Sequence, residues 1–299
     1  MMTNKHVLGV DIGGSHITAA VLNMEDRSLL GNSYTRTWID SHGKPEQIIQ
    51  SWTNTINLAC QKTGLKVEKF GIAMPGPFDY DQGISYIAGN DKYEAFYGLN
   101  VKNMLAGALN ILPDDILMKN DASCFLAGEV FAGAAKGYEN VIGITLGTGL
   151  GSAVLKNKEA KDANLWCSPF LDGIAEDYLS TRWFLKRYYE ISGLNILNVK
   201  VMTGLYNYSP TVREIFMEFA NNLAAFLKVF QQEVKADAIV IGGNIANASE
   251  NFLPWVIKQL KTFNIEIPVL ISTLNEHAAI AGAASCWENK PTAGRSVNI

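Results

Sequence analysis

Three short glycine-rich segments each follow a run of apolar residues: Asp11-Ile-Gly-Gly-Ser15, Gly147-Thr-Gly-Leu-Gly151 and Gly242-Gly-Asn244. Glycine accepts positive φ and, having no Cβ, lets a phosphate approach the backbone amides directly. One such turn is an ordinary hairpin. Three in one chain, two of them in matching surroundings, point to a nucleotide held by its phosphates. The residues expected to hold it are Gly13, Gly14 and Ser15, then Gly147, Thr148 and Gly149, and finally Gly242, Gly243 and Asn244. Asp11 stands just ahead of the first turn, where a carboxylate suits Mg²⁺, a hard cation that takes oxygen ligands and keeps several waters. A carboxylate there can also cap the turn; the apolar flanks and the Gly-Gly-Ser that follows favour the metal role.

A second constellation is Asn120-Asp121, where a short apolar strand (Ile116 to Lys119) meets a helical pattern from Ala122 to Ala135. Phosphoryl transfer asks for a cation to neutralise charge, amides on the phosphates, and a carboxylate to take the acceptor's proton. Asp121 suits that general base, and Asn120 suits a reader of hydroxyl groups. Aspartate is also a favoured helix N-cap, and the two roles can coexist. They differ in consequence: a lost base costs ~10²–10⁴ in turnover, a lost cap about 1 kcal/mol of stability.

The elements that must position these residues alternate along the chain. Strand patterns run over Lys5 to Ile12, His16 to Leu22 and Leu29 to Trp38, followed by a helix from Pro45 to about Lys62 with Ile48, Ile49, Trp52, Ile56, Ala59 and Cys60 on one face. A buried-type strand, Lys69 to Met74, ends in Pro75-Gly76-Pro77. The second half reads as helices near Asp177 to Ile191 and Val212 to Val234, a strand from Ala238 to Ile241, and a helix from Ala278 to about Trp287. This mixture specifies an α/β protein with two mixed sheets. Residues 7–13 (Val-Leu-Gly-Val-Asp-Ile-Gly) are echoed by residues 141–147 (Val-Ile-Gly-Ile-Thr-Leu-Gly), with only Asp11 against Thr145 differing in kind. Two related lobes, each opening with strand, glycine turn and strand, account for the echo. The expected division is a smaller N-terminal lobe over 1–119, a larger lobe over 120–283, and a C-terminal helix over 284–299 able to pack on the first.

Both echoed turns lead from strand into strand. That excludes the P-loop, whose Gly-x-x-x-x-Gly-Lys-Ser/Thr signature is missing. It also disfavours a dinucleotide fold and an NAD-linked oxidoreductase, where the turn must open a helix. Of the 299 residues 48% are hydrophobic and 18% charged, which excludes a disordered chain. A net charge of -4 without a basic block disfavours nucleic acid as partner. No apolar run approaches the ~20 residues of a membrane span, and the strand pattern begins within ten residues of the first Met, so a membrane partner and a signal peptide are not expected. The four cysteines lack Cys-x-x-Cys pairing and read as free thiols of a cytoplasmic protein.

Taken together, these motifs resemble those of the ROK family of sugar kinases, which share the two-lobed actin-like, ribonuclease-H-like ATPase fold: α/β, each lobe a mixed sheet flanked by helices, with a cleft between. Residues 8–16 resemble the family's first phosphate segment, residues 71–77 its sugar-side turn with Gly76, and residues 120–129 its catalytic strand-helix. Residues 143–151 are similar to its second phosphate segment and residues 239–244 to its adenosine turn. The resemblance implies Mg-ATP as phosphoryl donor, a sugar as substrate, Asp121 as base and a homodimer. It also implies sugar contacts from Asn120 and Asn90, and from Glu176 in Gly173-Ile-Ala-Glu176.

One segment departs from the pattern. Where the family carries Glu-x-Gly-His and a cysteine-rich zinc loop, this chain has Asn164 in the glutamate's place and Cys167 in the histidine's, without the remaining metal cysteines. No structural zinc is expected from one thiol without a nearby histidine. Asn164 can bond a sugar hydroxyl but without the charge, which speaks against a glucose-type site; the acceptor is expected in the hexose or N-acetylhexosamine class, as a different hexose, an N-acetylated amino sugar or a sugar derivative. A sugar sensor without catalytic activity, on the same scaffold, is the alternative.

Overall fold

The apolar run near the start of the chain forms β1 (His6–Ile12), where only His6 and Asp11 keep partial exposure. A strand buried along its length belongs at the centre of a sheet covered on both faces. In the computed structural model, which describes residues 5–89 and 92–288, β1 has that place. β2 (His16–Asn23) pairs with it antiparallel through the Gly13-Gly14 turn. β3 (Ser28–Leu29) and β4 (Thr35–Trp38) both pair antiparallel with β2. The single strand expected over Leu29 to Trp38 is thus two, parted by a 3-10 turn at Gly31–Ser33. The buried Ser33 hydroxyl explains the break: it accepts from the Val21 amide (2.8 Å) and donates to the Leu30 carbonyl (2.6 Å), a side chain standing in for the ladder.

Helix α1 (Pro45–Gln61) leads to β5 (Phe70–Met74), parallel to β1; a short hairpin, β6 (Phe78–Asp79) and β7 (Ile84–Ser85), follows. Then come α2 (Val101–Leu109), β8 (Ile116–Asn120), parallel to β5, and α3 (Asp121–Ala132). The order is β3-β2-β1-β5-β8. One face of the sheet, with Leu8, Val10, Ile72 and Met74, packs on Ile48, Trp52 and Ile56 of α1.

The second unit repeats the plan. β9 (Val141–Leu146), β10 (Leu150–Lys156) and β11 (Glu159–Asp162) form an antiparallel run. A small hairpin, β12 (Pro169–Phe170) and β13 (Gly173–Ile174), leads to α4 (Ala175–Tyr178), α5 (Thr181–Ser192), α6 (Val199–Gly204) and α7 (Pro210–Val234). β14 (Ala238–Gly242) joins β9 in parallel, and α8 (Ser249–Thr262) leads to β15 (Val269–Ile271) beside it. The order β11-β10-β9-β14-β15 has the same succession of antiparallel and parallel pairings as the first sheet. The echo between residues 7–13 and 141–147 is therefore an echo of topology. Phe184, Phe216, Phe219 and Phe252 make the core of this unit, with Phe184 and Phe219 centroids 4.6 Å apart.

Helix α9 (Ala278–Ser285) returns to the first unit. Its approach is so close that a Cβ at Gly9 would overlap the Ile280 carbonyl, and one at Gly282 would overlap the Cys124 carbonyl of α3. α3 and α9 therefore pack as a pair against the sheet, and the Trp287 indole donates to the Phe70 carbonyl at 3.1 Å. This packing moves the expected boundaries. The units are 1–132 with 277–299, and 133–276, so α3 belongs with the first unit rather than opening the second. Residues 289–299 of the expected terminal helix lie outside the described residues.

Candidate active site

In the first unit the carboxyl ends of three parallel strands lie side by side. Asp11 of β1 is opposite Ala73 of β5, which is opposite Lys119 of β8; one residue on, Met74 is opposite Asn120. The sheet register alone thus brings Asp11, the Pro75-Gly76-Pro77 turn and Asn120-Asp121 to one edge, as the carboxyl ends of parallel strands do in α/β sites. The β1–β2 turn is closed by the Gly13 amide donating to the His16 carbonyl at 2.9 Å, with the Ser15 hydroxyl 2.9 Å from His16 Nδ1.

Asn120 Oδ1 accepts from the Ser123 amide at 3.0 Å, which makes Asn120 the cap of α3. Its Nδ2 donates to Tyr80 Oη at 3.5 Å, and Tyr80 in turn donates to the Met74 carbonyl at 3.0 Å beside Gly76. Asp121 is the first helical residue, its Oδ1 accepting from the Ala122 amide at 2.9 Å. The side chain reaches solvent, yet protein surrounds it on its other sides. That desolvation pushes the carboxyl above its usual range, against the opposing pull of the Ala122 amide and the Lys92 ammonium. A carboxylate so perturbed is a stronger base than an exposed one.

A loop from the same unit covers the first glycine turn. Tyr93 is fully buried, packed edge-on against Trp52 (5.6 Å between centroids), and its hydroxyl donates to the Gly13 carbonyl at 2.5 Å. Its backbone is left-handed (φ 59°), a strain of roughly 1–3 kcal/mol for a bulky residue that the surrounding contacts must offset. Burial, then the charge of Asp11, pushes the phenol up, so it remains a hydrogen-bond donor.

The second unit carries the other two turns. The Gly147 amide donates to the Gly149 carbonyl at 3.0 Å, while the Gly147 carbonyl accepts from the Thr181 amide at the start of α5 (2.7 Å). Thr148 is exposed at the tip. Glu176 Oε2 accepts from the Leu150 amide at 3.0 Å, and Oε1 accepts from Arg182 at 2.5 Å. A Cβ at Gly149 would overlap that carboxylate, so any larger residue there has to displace the Glu176 side chain from the turn. Asn164 is exposed with a left-handed backbone, its Oδ1 accepting from the Trp166 indole at 2.8 Å. Gly242 ends β14 opposite Thr145; Gly243 has φ 85° and passes so close to Leu146 that a Cβ would overlap its backbone; Asn244 opens a 3-10 turn.

The ROK family profile matches residues 7–163, more than half of the chain, taking in the first two glycine turns and Asn120-Asp121. The chain belongs to the ROK family. Among similar proteins, the glucokinase of Thermotoga maritima is 24% identical over 95% of this chain and 98% of its own length. An N-acetyl-D-glucosamine kinase of Pectobacterium carotovorum is 23% identical over 81% of this chain and 84% of its own. The crystal structure of a ROK glucokinase from Streptomyces griseus in complex with glucose and AMPPNP superposes with a TM-score of 0.76. It has 22% identity and covers 94% of this chain and 98% of that one. The fold is therefore the two-unit ROK fold, α/β with a mixed sheet and flanking helices in each unit.

Within that ROK framework, the first unit brings together Asp11, Gly13, Gly14, Ser15, Gly76, Asn120 and Asp121, while Asn90 lies outside the described residues. The second unit holds Gly147, Thr148, Gly149, Asn164, Glu176, Gly242, Gly243 and Asn244, with Glu176 tied to the second turn. Among the described residues no three or more His, Cys, Asp or Glu stand together as a metal group, and no helix is long and apolar enough to cross a membrane. A single carboxylate beside the amides of a glycine turn fits a cation such as Mg²⁺, whose remaining oxygens come from phosphate and water. Sequence reasoning missed Lys92 and the hold of Tyr93 on Gly13. In that loop the Tyr93 and Phe96 rings are fully buried while Tyr97 is exposed.

Proposed function

We propose that this chain is an ATP-dependent sugar kinase of the cytoplasm, acting on a hexose or N-acetylhexosamine. The observation that carries the reading is the division of labour at the end of β8. Asn120 caps α3 through Ser123, so Asp121 is not needed as the cap and presents a carboxylate of raised basicity at the edge it shares with Asp11. The relatives named glucokinase and N-acetyl-D-glucosamine kinase, and the relative solved with glucose and AMPPNP, support both the donor and the acceptor class.

Asp121 accepts the proton of a sugar hydroxyl as its oxygen forms a bond to the γ-phosphorus of ATP. The bond from that phosphorus to the β–γ bridging oxygen breaks, leaving a sugar phosphate and ADP, with the proton on Asp121. Mg²⁺, held by Asp11 through water, would supply charge neutralisation on the phosphates. Gly13, Gly14 and Ser15 offer amides to phosphate; Gly147, Thr148 and Gly149 do the same from the second unit, where Gly242, Gly243 and Asn244 hold the adenosine. Asn120 and Gly76, with Asn90, take the sugar. The same family reading carries a homodimer, which sedimentation velocity tests.

A second reading is a sugar sensor without catalysis. It is favoured by the 164–167 segment, where Asn164 and Cys167 stand in place of the glutamate and histidine of the family pattern. Phosphorus NMR of the protein with Mg-ATP and a panel of hexoses and N-acetylhexosamines separates the two. The kinase reading expects a sugar-phosphate resonance with at least one member; sugar binding by calorimetry with no such resonance across the panel would leave the sensor.

A further inference from the structure

The loop that buries Tyr93 also delivers its neighbour. Tyr93 is fixed by its hydroxyl bond to the Gly13 carbonyl, by its amide donating to the Ser41 carbonyl at 2.9 Å, and by the Trp52 and Phe96 rings. With its backbone held in the left-handed region, the chain turns so that Lys92 lies across Gly14. Lys92 Cδ is 2.9 Å, and its Nζ 3.3 Å, from where a Gly14 Cβ would stand. The ammonium therefore rests over the amide turn assigned to phosphate. It is also close enough to Asp121 to draw that carboxyl downward. A strained, buried anchor beside an exposed lysine is an expensive arrangement for a solvated charge, and an economical one for holding a cation where an anion docks.

Resting on the kinase reading above, we infer that Lys92 is a phosphate-positioning residue: its ammonium binds the terminal phosphate of ATP over the Gly13-Gly14 turn and stays with the phosphoryl group during transfer. The charge of that group is carried on its non-bridging oxygens, and a fixed cation beside them stabilises the transition state more than the ground state. The ammonium also draws the Asp121 carboxyl downward, against the rise that burial causes.

The test compares wild type with Lys92→Met and Lys92→Arg. Mg-ATP affinity is measured by calorimetry, and turnover by ADP release with whichever hexose or N-acetylhexosamine the wild type uses. Lys92→Met is expected to weaken Mg-ATP binding roughly tenfold or more, as expected for a lost charge-assisted hydrogen bond. It should lower kcat by about 10², with the sugar KM changed by less than about threefold, a pattern a merely structural role would not give. The acid limb of its pH profile should move upward, because the cation that lowers the Asp121 pKa is gone; Lys92→Arg should restore part of each effect. Wild-type Mg-ATP affinity and kcat in Lys92→Met would overturn the inference while leaving the kinase reading intact. If wild type binds Mg-ATP but transfers no phosphoryl group, the kinase reading falls, and an unchanged affinity in Lys92→Met then overturns the role of Lys92 as well.

Discussion

The position of Asp121 depends on α3, and that of α3 on its contact with α9, so the sharpest structural prediction concerns one methyl group placed between them. Gly282→Ala puts a Cβ into the Cys124 carbonyl and against the Gly128 amide, both of them backbone atoms that cannot swing aside. Forcing a carbon into a packed contact costs ~1–3 kcal/mol, and a backbone overlap belongs at the upper end. Replacing a helical glycine by alanine returns up to ~1 kcal/mol of propensity. The net expectation is a loss of about 2 kcal/mol, or roughly 4–8 °C in Tm for a unit of this size. Gly107→Ala in α2 is the control, because its Cβ would meet nothing within 4 Å, so only the propensity gain remains and stability should rise by ~0.5–1 kcal/mol. Calorimetric melting of both variants reads the contrast directly. Equal stabilisation by the two substitutions would refute the close crossing of α3 and α9, and with it the account of how Asp121 is held.

Other consequences follow from the same unit. The Asp121 carboxyl is raised in the folded state, so its ionisation works against folding above the unfolded value near 3.8, and that penalty vanishes as pH falls below it. Asp121→Asn should therefore melt higher than wild type at pH 7 and equal to it near pH 3; a lower Tm at pH 7 would contradict the desolvation argument. Asn120→Ala removes the cap on Ser123 and should cost about 1 kcal/mol, whereas Asn120→Asp keeps an acceptor there and should cost little. Urea titrations of the two would show equal losses if the cap were unimportant.

Much of this was legible in the chain because it is local. The apolar runs of β1, β5, β9 and β14 announce buried strands, and the strand-turn-strand echo between residues 7–13 and 141–147 gives the shared order of the two sheets. Asp11 and Asp121 could be singled out because each follows an apolar strand at a turn or helix start. The rest was hidden by tertiary placement. Nothing near Gly128 or Gly282 says that these glycines touch other helices, so the chain alone suggests a boundary at 119 rather than 132. The cap on α3 was open to either Asn120 or Asp121, since both types cap helices, and only the register at the end of β8 decides it. Lys92 reads as one more surface lysine; its meaning comes from a strained backbone at Tyr93, some 80 residues from the turn it touches. Glu176, six residues before Arg182, carries no hint in the sequence that it braces the turn at Gly149.

The central claim is that the Asp121 carboxylate takes the proton of a sugar hydroxyl during transfer from ATP. Steady-state ADP release, followed with and without the accepted sugar in wild type and Asp121→Asn, tests it most directly. The account predicts sugar-dependent ADP release in wild type, and a fall of ~10²–10⁴ in kcat for Asp121→Asn with sugar and Mg-ATP affinity largely kept. Turnover in Asp121→Asn within a few-fold of wild type would contradict it.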